Sequence, residues 1–295
     1  MKEYLDLVKL VMENGVRKKS RTGVDTLSYF GAFYKVDLSK GYPLLTTKKM
    51  IWKSMLHEVL WYLSGEEHIR NLREKTKIWN AWADESGRLQ TAYGRFWRRF
   101  PIPGKGAILD GEIFADENHP FVRKEENGSL TFDQIGWAIS EIKNNPYSRR
   151  IVISAWHPAN AVVSKLPPCH YTFAFNVSNG RLNCHLTQRS GDIALGIPFN
   201  LAAYSLLTLV IAQQTGLKPG YFAHTIIDAH IYIADEGSPK EKYDHLRGLK
   251  EQIKREPFPL PQLKIANKPL DQLQFEDFQL IGYKHHERIK FEVAV

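Results

Sequence analysis

The chain has 295 residues, 43% hydrophobic and 24% charged, which argues against a disordered tail, a coiled coil or a small stapled domain. Only Cys169 and Cys184 occur, so neither a disulfide framework nor a cysteine-based zinc site is expected, and the compartment reads as reducing and cytoplasmic. The net charge of +8 suits an anionic partner: nucleic acid, a phosphorylated metabolite or a polyanionic cofactor.

Tyr4, Leu5, Leu7, Val8, Leu10 and Val11 recur at helical spacing, and Gly15 stops the pattern. The helix opens at the first residues, which predicts no secretory leader. Residues 26–38, rich in aromatic and β-branched side chains, read as strands around Gly31. Residues 51–63 form an apolar helix ending at Gly65. Residues 101–129, dense in Gly, Pro and charge, read as a surface excursion or small subdomain. A helix is expected over 132–145, ended by Pro146, then a strand over 151–156. Residues 171–177 and 182–186 alternate around Asn179-Gly180, a strong hairpin signal. Pro198 starts a helix over 199–214, apolar nearly all round and closed by Gly216, which places it at the centre of the domain. The longest apolar run, 206–212, is too short to span a bilayer. A strand is expected over 226–233 and a helix over 240–255. The fold class is α+β: a single domain over 1–295 with a large mixed or antiparallel sheet flanked by helices.

Several residues could carry chemistry. Cys169 follows Leu166-Pro167-Pro168, whose prolines fix the backbone. A nucleophilic thiol needs nearby positive charge; a small buried core residue is the plainer alternative. Arg21, Arg149, Arg150 and Arg189 stand at strand ends among hydroxyl neighbours, an arrangement suited to a phosphate dianion. Solvated surface arginines would look the same one at a time. Glu58 is the one carboxylate in its apolar helix, where desolvation raises its pKa toward acid–base use; pairing with His57 or Lys53 is the structural alternative. Asn200 either caps the central helix or reads the edge of a base with its amide. Trp79 and Trp82 are core, or a wall for a flat ligand.

Taken together these segments are specific. Leu166-Pro-Pro-Cys169-His170, Gln188-Arg189-Ser190-Gly191-Asp192, Leu195-Gly196-Ile197-Pro198-Phe199-Asn200 and Asp228-Ala229-His230-Ile231-Tyr232 closely resemble the folate-dependent, cysteine-nucleophile thymidylate synthase family. Arg21-Thr22-Gly23, Pro43 to Lys49, His57-Glu58, Trp79 to Glu85, Tyr93-Gly94, Ser148-Arg149-Arg150 and the C-terminal Glu292 to Val295 match in order as well. The resemblance implies reductive methylation of dUMP to dTMP, with 5,10-methylenetetrahydrofolate as co-substrate and no metal. It implies Cys169 as the nucleophile toward pyrimidine C6. Arg189 would bind phosphate and depress the thiol pKa, with Arg21 completing the phosphate site and Ser190 among the substrate-binding residues. Arg149 and Arg150 would reach across from a second subunit, which implies a homodimer with shared sites. Asn200 and the Asp192 backbone would bond the uracil edge, and His230 and Tyr232 the ribose hydroxyl. Glu58, His170 and Tyr93 would order water and move protons. Folate would lie against Trp79, Trp82, Leu166, Asp192, Leu195, Gly196 and Phe199, with the Val295 carboxylate closing a flap.

The sequence departs from the family pattern at Ile227, where Gly is usual and a positive φ would be strained; at Asn80 and Ile51; and at 234–242, which reads as an insertion beside the ribose pair. The alternatives are a pyrimidine-nucleotide hydroxymethylase of the same fold, a nucleic-acid-binding protein suggested by the charge, and an inactive homologue. Asn200 and Trp79 favour uracil and methyl transfer over the first. The separated arginines favour a phosphate pocket over the second, although the resemblance adds weak RNA binding to the expected partners. The set Cys169, Glu58, Asn200 and Arg189 speaks against the third.

Overall fold

The computed structural model describes residues 1–89, 92–103 and 116–294. The first helix, α1 (Lys2–Asn14), buries Tyr4, Leu5, Leu7, Val8 and Val11, and Gly15 closes it with an N–H to Val11 O bond of 2.9 Å. A short strand β1 (Val16–Lys18) then folds back on β2 (Asp25–Asp37). Strand β2 is continuous through Gly31, whose φ of +78° only glycine adopts readily.

Six strands form the main sheet, in the order β1, β2, β9 (Lys218–Ile233), β8 (Arg181–Asp192), β7 (His170–Ser178), β6 (Val152–Ser154). Only the β8–β9 pairing is parallel, so the sheet is mixed. Strands β7 and β8 meet at Asn179 and Gly180, with φ of 51° and 67°, the two-residue left-handed turn expected of Asn-Gly. One sheet face is covered by α1 and by α6 (Gly196–Thr215). The other face exposes Phe33, Lys35, Asn176, His185 and Tyr221.

Helix α6 has 13 of its 20 residues buried, and Gly216 ends it in the left-handed region. It begins at Gly196, earlier than its Pro198 suggests. At 20 residues it is long and apolar enough to cross a membrane, contrary to the reading from the 206–212 run alone, but its burial within the protein accounts for that composition. Helix α2 (Trp52–Ser64) ends at Gly65 as expected. It packs on α3 (Tyr93–Arg98) so closely that a Cβ at Gly94 would lie 2.2 Å from Tyr62 O.

Several boundaries differ from expectation. Helix α4 (Gln134–Asn144) starts after Asp133, whose side chain accepts the Gly136 N–H, and a short helix, α5 (Pro158–Val163), follows β6. Residues 240–255 do not form one helix; a 3₁₀ turn, Glu241–Tyr243, precedes α7 (Leu246–Gln252). Of the 101–129 excursion, residues 104–115 lie outside the described residues. The flanks contribute to a small sheet of β3 (Phe100–Pro101), β4 (Val122–Lys124) and β5 (Leu130–Phe132). Ile227 does not distort its surroundings. It stays within β9, between the pairs Phe30–Asp228 and Ala32–Ile226, and the positive φ falls on Gly31 in the facing strand.

Candidate active site around Cys169

Cys169 sits half-buried where β7 begins. Arg189 crosses to it from β8. The Arg189 backbone N–H bonds Cys169 O at 2.8 Å, Nε bonds Pro168 O at 2.9 Å, and Nη2 bonds Pro167 O at 2.7 Å. The two prolines thus hold the guanidinium through their carbonyls, with Nη2 3.5 Å from Cys169 Sγ. Burial pushes the thiol pKa up, and the charges of Arg189 and Arg21 only partly offset it. The expected depression by Arg189 is therefore present but outweighed by desolvation.

Tyr93 stands over the same residue. Its hydroxyl accepts the Cys169 N–H at 2.7 Å, leaving its own proton for the sulfur, where its hydrogen bond favours the thiolate. The Tyr93 ring stacks on His170 with centroids 3.7 Å apart. His170 Nδ1 pairs with Tyr204 O–H at 2.7 Å, and burial, with the Arg189 charge, drops its pKa to about 3. His170 is thus a neutral imidazole near pH 7.

Glu58 on α2 receives Trp79 Nε1–H at 2.7 Å and Tyr62 O–H at 2.9 Å, both on Oε1. Burial lifts its pKa to about 7 against the pull of those two bonds. Neither His57 nor Lys53 pairs with it: His57 stacks on Phe275 at 4.4 Å. Trp79 packs edge-on against Trp82 and Tyr93, at 5.7 and 5.8 Å. Asn80 and Ile51 point to solvent.

Asn200 is not the helix cap; it is the fifth residue of α6, and Leu195 holds the cap position. Its amide is fixed by a buried relay. Gln188 Nε2 donates to Ser190 O at 2.9 Å and to Asn200 Oδ1 at 3.1 Å. Because Ser190 O can only accept, the Gln188 amide has one orientation, and its Oε1 must accept. His224 Nε2–H supplies that bond at 3.0 Å, so His224 Nδ1 accepts from Tyr34 O–H at 2.8 Å. Burial holds His224 neutral, far below the ordinary imidazole range. Asn200 consequently presents its amide N–H groups and an oxygen lone pair in one fixed sense.

Arg21 lies in the turn Ser20 to Gly23, closed by Gly23 N–H to Ser20 O at 3.0 Å. Register brings Tyr232 opposite Thr26, His230 opposite Ser28, and Asp192 opposite His230, so these groups share one end of the sheet. His230 bonds Asp228 O at 3.2 Å. Asp192 Oδ1 accepts Ala194 and Leu195 N–H, shaping the approach to α6 around half-buried Leu195, Gly196 and Phe199. Leu166 is half-buried beside Pro167. Ser190 contributes its carbonyl to the relay and pairs across with Asp228.

Arg149 and Arg150 are not brought into this site by their own chain. They are exposed and precede β6 at the sheet edge opposite β1. The register Val152–Ala174 puts Arg150 some six residues from His170 along the sheet, about 20 Å. Val295 lies outside the described residues, but the segment before it is docked. Buried His245 bonds Glu292 O at 2.8 Å and meets the Phe291 ring edge-on at 5.1 Å. Lys48 Nζ lies over that ring, 4.7 Å from its centroid, bonds Ala194 O at 2.5 Å, and has its pKa lowered by burial to about 8.

Tyr34, Tyr62, Gln188, Tyr204 and His224 were not singled out from sequence. Three of them carried a signal: Gln188, His224 and Tyr34 occupy inward positions at period two among Leu186, Phe222, Ile226, Ala32 and Val36. Among the described residues no group of three or more His, Cys, Asp or Glu side chains is clustered as metal ligands would be.

Residues 2–295 match the family profile described as thymidylate synthase. A thymidylate synthase from Haloferax volcanii is 50% identical over an alignment of 332 positions, covering 98% of this chain and 95% of that protein. With a thiol gripped by an arginine, a carboxyl near neutrality and an oriented amide on one sheet end, the chain belongs to the thymidylate synthase family.

Proposed function

We propose that the chain methylates dUMP to dTMP through a covalent bond between Cys169 and pyrimidine C6. The observation that carries this reading is the pairing of two fixed groups: a thiol held beside Arg189 and an amide locked by Gln188.

Arg21 and Arg189 take the phosphate, and Ser190 adds a hydroxyl. Tyr232 and His230 face the sugar. Asn200 donates to the O4 of uracil and accepts from its N3–H, a pattern that cytosine does not match. In the free chain the thiol pKa is high, so activation needs a proton acceptor and the hydrogen bond from Tyr93. Addition of sulfur to C6 shifts an electron pair to C5, which becomes the carbon nucleophile. Glu58, with a pKa of about 7, can give and take protons at the carbonyl and C5 positions near neutral pH. Neutral His170 orients its neighbours rather than carrying charge.

5,10-Methylenetetrahydrofolate supplies the one-carbon unit and the hydride. The half-buried wall of Trp79, Trp82, Leu166, Leu195, Gly196 and Phe199 suits a flat, partly apolar ring, and the Asp192 carboxyl suits its polar edge. Trp79 covers Glu58 and excludes water from the reacting face, which favours methyl over hydroxymethyl product. The docked segment 291–294 would close over that face. The enzyme would work in the cytoplasm as a homodimer. The exposed sheet face of Phe33, His185 and Tyr221 suits a second copy, and the distance of Arg149 and Arg150 from Cys169 suits donation of both to the partner's phosphate site.

A nucleotide with fluorine at C5 offers no proton to remove there. Incubated with methylenetetrahydrofolate, 5-fluoro-dUMP should therefore remain bonded to the protein. A mass increase mapped to Cys169 supports the reading; an unmodified Cys169 contradicts it.

A further inference from the structure

We propose that the loop 234–242 is a clamp on the Arg21 turn, with Lys240 and Asp235 as positioning residues for the nucleotide phosphate. The inference rests on the assignment of Arg21 to that phosphate and extends it to a segment outside the matching motifs.

The loop leaves the end of β9 at Ile233, the residue paired with Asp25 where the Arg21 turn enters β2. It is tied at its base by His245 N–H to Tyr232 O at 2.9 Å and by Ala234 N–H to the Asp244 carboxylate at 3.0 Å. It is tied internally by Ser238 N–H to Asp235 O, Glu241 N–H to Ser238 O, and Gly237 N–H to the Glu241 carboxylate. A loop bonded in this way presents its side chains from a defined base.

Two of those side chains bracket Arg21. Lys240 Nζ donates to the carbonyl of Gly23, the residue that closes the turn two positions after Arg21. Asp235 takes the fork of Arg17, four positions before Arg21, at 3.2 Å, while Arg17 Nε holds Asp25 at 2.8 Å. The turn is thus gripped on both flanks, and within it Thr22 Oγ1 pairs with Ser20 Oγ at 2.7 Å. Neither contact points at a base or sugar. Their joint effect is to order the turn before the phosphate arrives, which removes part of the ordering cost of binding. Both pairs are solvent-exposed, so each contributes modestly, and the effect should be about three- to tenfold in affinity.

The test compares full-length wild type with Lys240→Ala, Lys240→Arg, the double variant Lys240→Ala/Asp235→Ala, and Arg21→Ala. Calorimetry measures dUMP and its unphosphorylated nucleoside, deoxyuridine, and steady-state kinetics separates KM from kcat. The clamp predicts a three- to tenfold weaker dUMP affinity and higher KM for the double variant, and about two- to threefold for Lys240→Ala. It also predicts kcat within twofold, unchanged deoxyuridine affinity, and recovery in Lys240→Arg. Equal losses for dUMP and deoxyuridine, or an unchanged dUMP affinity in the double variant, would overturn it. If Arg21→Ala also leaves dUMP binding intact, the phosphate assignment of the turn falls, and the clamp with it.

Discussion

Trp79 donates its indole N–H to Glu58 Oε1 at 2.7 Å, so the indole proposed as the folate wall and the carboxyl proposed to handle protons are one unit. The bond ties the position of Trp79 to the charge on Glu58. It also sets the edge of an indole ring against a group whose pKa is raised to about 7, chiefly by burial. Replacing Trp79 with Phe removes one donor to the carboxylate, so the pKa of Glu58 should rise further. The pH profile of kcat should then shift to higher pH. An unshifted profile would separate the two residues functionally.

Glu58 also gives a stability signature. Its folded pKa of about 7 exceeds the ordinary 4.5, so the folded state holds that proton more tightly than the unfolded chain. The associated stability is complete below about 4.5 and is lost as pH rises through 7. Glu58→Gln removes the loss. Its Tm relative to wild type should therefore be higher at pH 8.5 than at pH 5.5, while kcat falls about 100- to 1000-fold. Equal Tm differences at both pH values would mean that Glu58 is ionised throughout.

The Tyr34–His224–Gln188–Asn200 relay predicts that base choice is controlled at a distance. Gln188→Glu cannot donate to Ser190 O and Asn200 Oδ1 at once, which frees the Asn200 amide to turn. Discrimination between dUMP and dCMP should drop about 10- to 100-fold, and Tyr34→Phe should produce a smaller loss in the same direction. Asn200→Asp should shift preference toward dCMP outright. Competition assays with both nucleotides measure each ratio, and an unchanged ratio in Gln188→Glu would show that Asn200 is held by other means.

The proposed sharing of sites between two copies makes a subunit-mixing prediction. Arg149→Ala and Cys169→Ala should each be inactive alone. Heterodimers should recover about a quarter to half of the wild-type rate per dimer, because one site then has an intact cysteine and intact partner arginines. No recovery in heterodimers verified by mass would place Arg149 outside the partner's site.

The parts of the fold legible in the sequence were those with strong local chemistry. Asn179-Gly180 announces its turn because both positions need a left-handed backbone, and Gly65 and Gly216 end helices for a related reason. Boundaries set by tertiary contacts were less legible. The start of β9 at Lys218 depends on pairing with Arg181, and the break of 240–255 into a turn and α7 depends on His245 being drawn into the interior. In the site, Cys169 and Arg189 could be found as residues with chemistry. The net rise of the thiol pKa could not, because burial is a property of the assembled fold. Asn200 was legible as a polar residue in an apolar segment, but its orientation is set by His224 and Tyr34, 24 and 166 residues away in sequence and adjacent only by strand register.

The most direct test is turnover with dUMP and methylenetetrahydrofolate, following dihydrofolate by absorbance and identifying the nucleotide by mass. Dihydrofolate and dTMP should form in equal amounts, and Cys169→Ala should form neither. A hydroxymethylated nucleotide without dihydrofolate would contradict methyl transfer, because water would then reach the reacting carbon past Trp79.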